Sequence, residues 1–241
     1  YNKMKNLNEI SIKFKITSFI VIPIILFLVM ISIYISYSLV IEGNARIERF
    51  RNQMLVEKQT MLKNQIEIVY KIVEKQYQNY KNNNVNGEEI EKFQQMAINL
   101  IKHLRYGKTG YFWIHDFNNN MVMHPTNPKL DGQNLSAFKD PNGVFLFIEM
   151  TTICKKQNEG FVNYMWPKPG SDAPQPKLSF VKAFKEWNWI FGTGIYIDDV
   201  EKMVADEIEK INVEIQNLIL KNCLVGLVLI AIIFLIYIFF T

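Results

Sequence analysis

Apolar residues are concentrated at the two ends of the chain, and the middle is polar. Residues 16–40 carry no charge, and as a helix they would extend about 37 Å, enough to cross a bilayer. Pro23 is compatible with such a helix, because neighbouring groups can satisfy one lost backbone bond. Residues 222–241 are again uncharged over about 20 positions. The pattern predicts two transmembrane helices.

The positions of the lysines set the expected orientation. Four lysines against the single Glu9 precede the first apolar run, so the positive-inside rule places the N-terminal tail in the cytoplasm. A signal peptide normally has an apolar region of about 7–15 residues, followed by a small-x-small cleavage site. The uncharged run at 16–40 is longer than that, so a cleaved signal peptide is disfavoured. The predicted segments are a cytoplasmic tail (1–15), a first span (16–40), an extracytoplasmic domain (41–205), a linking helix (206–221) and a second span (222–241).

Helical periodicity continues outward from both spans. Apolar residues recur at steps of three and four from Leu62 to Tyr80, within a stretch, 42–80, that lacks proline. A second helix is predicted over 88–105, after a turn at the NNNVNG run of residues 82–87. A last stripe, from Val200 to Leu218, runs into the second span without a helix breaker. We expect a change in the outer domain to be able to move a helix.

The segment from Gly107 onward changes to strand-like runs separated by turns. GYFWIHD (110–116) and MVMHP (121–125), joined by an Asn-rich turn, predict a β-hairpin. A helical patch covers 144–156, and three further strands follow at GFVNYMW, LSFVKAF and WIFGTGIYI. The sequence therefore predicts an α+β domain with five antiparallel strands.

Composition argues against several functional classes. The formal net charge of +4 is small and lies mainly in the N-terminal tail, so nucleic acid is not expected as a partner. Cys154 lies in the outer segment and Cys223 at the start of the second span, so the two are not expected to pair. The three histidines have no metal-ligand spacing. No nucleophile or acidic pair stands in a catalytic arrangement, so we expect neither an enzyme nor a cofactor. Since the chain begins at Tyr1 and stops as the second span ends, we expect a piece of a longer protein.

Seven motifs in order resemble the single Cache domain, type 2, found outside bacterial chemoreceptors and sensor kinases. They are YGKTGYFWIHD, MVMHP, LDGQNL, KDPNG, EGFVNYMWPKPG, PKLSFVKAF and WNWIFGTGIYIDDV, within residues 45–205. The resemblance implies a PAS-like five-stranded antiparallel sheet with a long N-terminal helix on one face and a small ligand on the other.

Family function follows from the same resemblance. Members mostly sense short carboxylic acids, a few sense urea or similar compounds, and many are homodimers. The expected location is the bacterial inner membrane, with the sensor in the periplasm or outside. They signal to methyl-accepting, kinase or cyclase modules. The expected partners are therefore a small molecule, the membrane and a second copy.

Strand alternation sorts the first strand into two faces. Phe112 and Ile114 are purely apolar and are expected against the helix, which leaves Tyr111 and Trp113 on the ligand side. His124 precedes Pro125, which holds it in an extended conformation and fixes where the imidazole points. By itself such a histidine would more often be satisfied by a backbone carbonyl, but within this motif we expect a ligand contact.

Further candidates lie on the later strands. Tyr164 and Trp166 share a face and offer a phenol and an indole N–H, although an aromatic core is an equally good interpretation. Lys177 enters an apolar strand, where it would compensate a ligand carboxylate; a solvated lysine is the alternative.

Phe180, Met123 and Trp113 are expected to provide apolar surface for a methyl or ethyl group. Phe180 stands where the family often has Tyr, so a hydroxyl is missing from the expected pocket. A third interpretation is a membrane interaction protein in which the aromatic cluster is only core.

Overall fold

The computed structural model describes residues 12–82 and 90–240. The chain divides into two compact units, and each is described separately below. One comprises the residues up to Arg51 and those from Val204, and the other is Asn52–Met203. Residues 1–11 of the predicted cytoplasmic tail and residues 83–87 of the predicted turn lie outside the described residues.

The first unit is built from the ends of two long helices, α1 (Ile12–Asn82) and α4 (Ile197–Phe240). Both are long and apolar enough to cross a membrane. Within this unit the Nδ2 of Asn222 donates to the carbonyl of Ser32 at 3.0 Å and to the hydroxyl of Ser36 at 3.1 Å. Such polar contacts hold membrane helices together, because lipid offers no competing partner. The candidate spans agree with the two predicted ones, whose boundaries stay predictions.

The second unit is an α+β domain. Its further helices are α2 (Ile90–Lys102) and α3 (Leu146–Gln157), and its strands are β1 (Arg105–Tyr106), β2 (Gly110–Asp116), β3 (Met121–Met123), β4 (Glu159–Pro167), β5 (Pro174–Phe184) and β6 (Trp189–Tyr196). The strand order is β1-β2-β6-β5-β4, β3 also pairs with β2, and every pairing is antiparallel. The predicted fold class is confirmed, and the two-residue β1 is the one strand that the sequence pattern did not predict.

An aspartate organises the turn between β2 and β3. The Oδ1 of Asp116 accepts the backbone N–H groups of Asn118 and Asn120, each at 2.8 Å. Asn119 has φ 64°, in the left-handed region that asparagine tolerates better than most residues. The asparagine run therefore makes the hairpin turn, as predicted.

The sheet separates two cores. On one face, α1 packs its apolar stripe against the apolar side chains of β2, in a cluster that includes Leu62, Ile66, Val69, Val73, Phe112 and Ile114. On the other face, α3 packs over an aromatic cluster that includes Tyr111, Trp113, Tyr164, Trp166, Phe147 and Met150. Alternation along β2 thus sends its apolar pair to the long helix and Tyr111 and Trp113 to the opposite face, as predicted.

Two predicted contacts of the ligand face are corrected by the structure. Ile114 pairs with Met123 whereas His115 pairs with Met121, so the register shifts and Met123 joins the α1 core. Phe180 also lies in the α1 core, three positions after Lys177 on one strand, where alternation puts the two side chains on opposite faces. Both side chains therefore lie on the opposite side of the sheet from the aromatic face.

Candidate functional site

Lys177 lies at the centre of the aromatic face. On β5 it pairs with Tyr164 of β4 on one side and with Tyr196 of β6 on the other. Its side chain is 1% exposed, and Nζ donates a hydrogen bond to the phenol oxygen of Tyr111 at 2.8 Å. Nζ also lies 4.2, 5.1 and 5.2 Å from the ring centres of Tyr111, Trp113 and Tyr196. The amine is thus enclosed by three aromatic rings.

No anion compensates this buried amine within residues 12–82 and 90–240, where its hydrogen bond is to a neutral phenol. Burial lowers the pKa of Lys177 well below its usual value. Because a buried cation without a partner is costly, the site favours arrival of a negative group. The arrangement is therefore suited to a small anion.

The imidazole of His124 is held beside Lys177 by the turn that follows β3. The ring centre lies 5.2 Å from that of Tyr111, 6.5 Å from that of Trp113 and 5.5 Å from that of Trp166. Nδ1 accepts the backbone N–H of Asn127 at 3.0 Å, so in neutral imidazole the proton is on Nε2. Burial lowers the pKa of His124 to about 3. His124 is a neutral ring with one N–H donor.

Two further donors complete the polar set. The hydroxyl of Tyr164 is hydrogen bonded to that of Ser179 at 2.9 Å, and both side chains are buried. The indole Nε1 of Trp113 is buried and has no hydrogen-bond partner within the described part of the chain. Since a buried N–H normally has a partner, Trp113 offers a donor that a ligand oxygen would satisfy.

Two glycines of β6 make the space that these side chains occupy. A Cβ on Gly192 would collide with the ring of Trp113. A Cβ on Gly194 would collide with the hydroxyl of Ser179 and would lie 2.8 Å from Cε of Lys177. Both positions therefore require glycine for close approach rather than for backbone conformation.

Tyr196 connects the site to the start of α4. Its ring lies 5.2 Å from Nζ of Lys177 and 5.3 Å from Nζ of Lys168, and its hydroxyl donates to the carbonyl of Pro167 at 2.6 Å. Lys168 in turn donates to Asp198 at 2.7 Å and to Asp199 at 2.9 Å, in the first turn of α4. The last residue of β6 thus bridges the buried lysine and the helix that follows.

The structure brings six of the eight candidate residues together. They are Tyr111, Trp113, His124, Tyr164, Trp166 and Lys177. Sequence reasoning did not single out Ser179, Gly192, Gly194 or Tyr196, although the alternating G-x-G-x-Y of β6 was a usable signal. His115, which was not selected, is fully buried with its ring against Phe147, and neither ring nitrogen has a partner within the described residues.

A helix-packed sheet, a buried aromatic face around Lys177 and two candidate membrane helices together define the class of protein, an extracytoplasmic sensor domain. A family model described as Cache domain, named dCache_2, matches residues 35–220. The chain belongs to the Cache domain family, which confirms the predicted resemblance. Assignment to the single Cache domains of type 2 stays a prediction.

Known proteins similar to this chain are receptors and sensor kinases. Methyl-accepting chemotaxis protein McpP of Pseudomonas putida is 48% identical over 118 residues, which are 49% of this chain and 22% of McpP. Sensor histidine kinase MctS of Rhizobium johnstonii is 27% identical over 190 residues, 79% of this chain and 40% of MctS. The chain thus spans less than half the length of these two relatives.

A solved structure described as "Structural basis for carboxylic acid recognition by a Cache chemosensory domain" is 38% identical. The match covers 61% of this chain and 97% of that one, with a TM-score of 0.57. Its fold agrees with the architecture described above, and the two candidate membrane helices around such a domain fit a periplasmic sensor.

Proposed function

We propose that this chain is the sensory part of a transmembrane signal-transduction receptor whose Cache domain binds a short-chain carboxylate. The acids best suited are of the acetate, propionate, pyruvate or lactate type. The observation that carries this proposal is Lys177, a buried amine enclosed by aromatic rings and without a compensating anion among the described residues. A carboxylate supplies the missing charge.

Recognition follows from the donors around Lys177. The proposed contacts are the amine of Lys177 for one carboxylate oxygen and, for the second, the phenol of Tyr111 or the Nε2–H of His124, whose rings lie beside each other and the amine. A keto or hydroxy oxygen finds the free indole N–H of Trp113. These acids have few heavy atoms, and at about 1.5 kcal/mol per heavy atom at best, affinities of micromolar or weaker are expected.

The proposed output is a cytoplasmic chemotaxis signalling module reached through α4. The similarity to a chemotaxis protein supports this output. The similarity to a sensor histidine kinase supports a kinase output instead. The alternative is input to a histidine kinase or cyclase, with another small polar ligand such as urea. We further propose that the receptor is a homodimer of the inner membrane, which mass photometry in nanodiscs would test.

Calorimetric titration of the whole chain in lipid nanodiscs tests the ligand class. Acetate, propionate, pyruvate and lactate are compared with acetamide and propionamide, which match the first two acids in shape without the charge, and with urea. The acids are expected to bind and the amides are not. The proposal would be contradicted if no acid bound, or if an amide bound as tightly as the acid that it matches. Urea binding as tightly as the acids would contradict it as well.

A further inference from the structure

We propose that the carboxylate enters this site together with one proton, which Lys177 takes up as the ligand binds. This inference rests on the proposed function, because it concerns the same site. It implies regulation by pH: the response to a given concentration of the acid strengthens as the surrounding medium becomes more acidic. The geometry around the amine carries the argument.

The neighbouring strands, and the turn after β3, place four neutral side chains beside Lys177. Tyr111 comes from β2, Tyr164 from β4 and Tyr196 from β6, and His124 follows β3. Burial raises the pKa of all three phenols, that of Tyr111 to about 12, and lowers that of His124 to about 3. Near neutral pH these four groups carry neither a negative nor a positive charge.

The acidic residues nearest in sequence to Tyr196 are already engaged. Asp198 and Asp199 accept hydrogen bonds from Lys168 at 2.7 and 2.9 Å, and their side chains are 44% and 51% exposed. They are solvated and paired, so they do not serve as the counter-ion of the buried amine. Asp131 and Asp140 accept the backbone N–H groups of His124 and Met165 instead. Among the described residues no ion pair joins Lys177 to a carboxylate, so a ligand would supply the compensating charge.

An amine in this environment is stable in its neutral form. Burial disfavours the ammonium, and the one hydrogen bond from Nζ goes to a phenol, which a neutral amine also makes. Three aromatic faces favour a cation, but weakly compared with full desolvation. The empty site is thus expected to hold Lys177 as –NH2.

Binding of a carboxylate reverses this preference. The anion beside Nζ stabilises the ammonium, and the balanced step is R–COO⁻ plus Lys–NH2 plus H⁺ giving Lys–NH3⁺ paired with R–COO⁻. The proton goes to Nζ, and no covalent bond of the ligand changes. Because the complex holds one proton more than the free components, raising the pH weakens binding, by up to about tenfold per pH unit.

Calorimetry of the whole chain in nanodiscs with propionate tests this inference. Titrations at one pH in phosphate, HEPES and Tris differ only in the heat of buffer ionisation. The slope of the apparent binding enthalpy against the heat of buffer ionisation gives the number of protons exchanged. We expect about one proton to be taken up per propionate bound. The Kd is expected to rise between about pH 6 and pH 8.

The outcomes separate this inference from the proposed function. Propionate binding with zero slope and a pH-independent Kd would overturn proton uptake and leave carboxylate sensing intact. Failure of every acid to bind would instead defeat the proposed function.

Two variants assign the proton to its acceptor. His124→Gln removes the other titratable nitrogen at the site, and the slope of about one is expected to persist; its loss would assign the proton to His124 and overturn the role of Lys177. Lys177→Arg keeps a permanent cation, so any binding that it retains is expected to show a slope near zero. A slope of one in Lys177→Arg would contradict the proposal.

Discussion

The Nζ of Lys177 and the phenol oxygen of Tyr111 meet at 2.8 Å although they lie 66 residues apart in sequence, and both side chains are buried. The contact joins β5 to β2 across the intervening β6. It places an amine against a neutral oxygen in a position where proteins normally provide a carboxylate. We interpret the missing anion as the ligand.

Substitution of Lys177 by Met is expected to weaken carboxylate binding while stabilising the empty protein. Met has nearly the same length and removes a buried polar group, so the free energy of unfolding should rise by on the order of 1 kcal/mol. Loss of a charge-assisted hydrogen bond should weaken acid binding at least about tenfold. Thermal unfolding and calorimetry with propionate measure the two effects.

Lys182→Met is the matched control on the same strand. Lys182 lies at the opposite face, where it is paired with Glu67 at 2.7 Å and is partly exposed. Its loss should cost at most about 1 kcal/mol of stability and leave propionate binding unchanged. If both variants lost binding equally, the effect at Lys177 would not be specific to the site.

Phe180→Tyr is expected to destabilise the domain without improving ligand binding. Phe180 lies in the α1 core, with its ring 4.8 Å from that of Phe161, away from the aromatic site. A hydroxyl added there lacks a partner and should lower the free energy of unfolding by about 1–3 kcal/mol. A variant of normal stability with tighter acid binding would contradict this placement, and thermal unfolding with calorimetry decides.

The position of Phe180 shows how well alternation along a strand predicts which face of the sheet a side chain occupies. Tyr111 and Trp113 were correctly separated from Phe112 and Ile114, because β2 is a regular strand with one apolar and one mixed face. The same rule, applied from Lys177, would have placed Phe180 on the opposite face. Local pattern therefore sufficed for the faces of β2 and β5.

Met123 needed information that single-strand periodicity does not contain. A shift in the pairing of β2 with β3 turns Met123 towards the α1 core, and such a shift depends on both strands. Ser179 and Tyr196 were missed for a related reason: their roles arise from neighbours on adjacent strands. The fold class followed from sequence pattern and family resemblance, whereas these contacts required the strand register.

Gly192→Ala is expected to weaken ligand binding through Trp113. The added Cβ would collide with the indole ring, which must then move out of the aromatic cluster. Overpacking of this kind costs about 1–3 kcal/mol, seen as a lower unfolding midpoint together with an altered tryptophan fluorescence. Unchanged propionate affinity with a displaced indole would show that Trp113 does not contact the ligand.

Lys168→Met is expected to separate ligand binding from its effect on α4. Lys168 lies over the ring of Tyr196 and forms exposed hydrogen bonds with Asp198 and Asp199. We therefore expect propionate affinity to stay within about threefold, since exposed ion pairs contribute little. Hydrogen exchange at residues 197–203 should respond to propionate in the wild type and respond less in the variant. An identical exchange response in the wild type and the variant would show that Lys168 does not transmit the effect of ligand binding to α4.

The most direct test of the central claim is a crystal structure of the protein with bound propionate. The account predicts a carboxylate oxygen within about 3 Å of Nζ of Lys177, with the second oxygen at Tyr111 or His124 and the ethyl group among the aromatic rings. Propionate bound elsewhere, or bound in this cluster with its carboxylate turned away from Lys177, would contradict it.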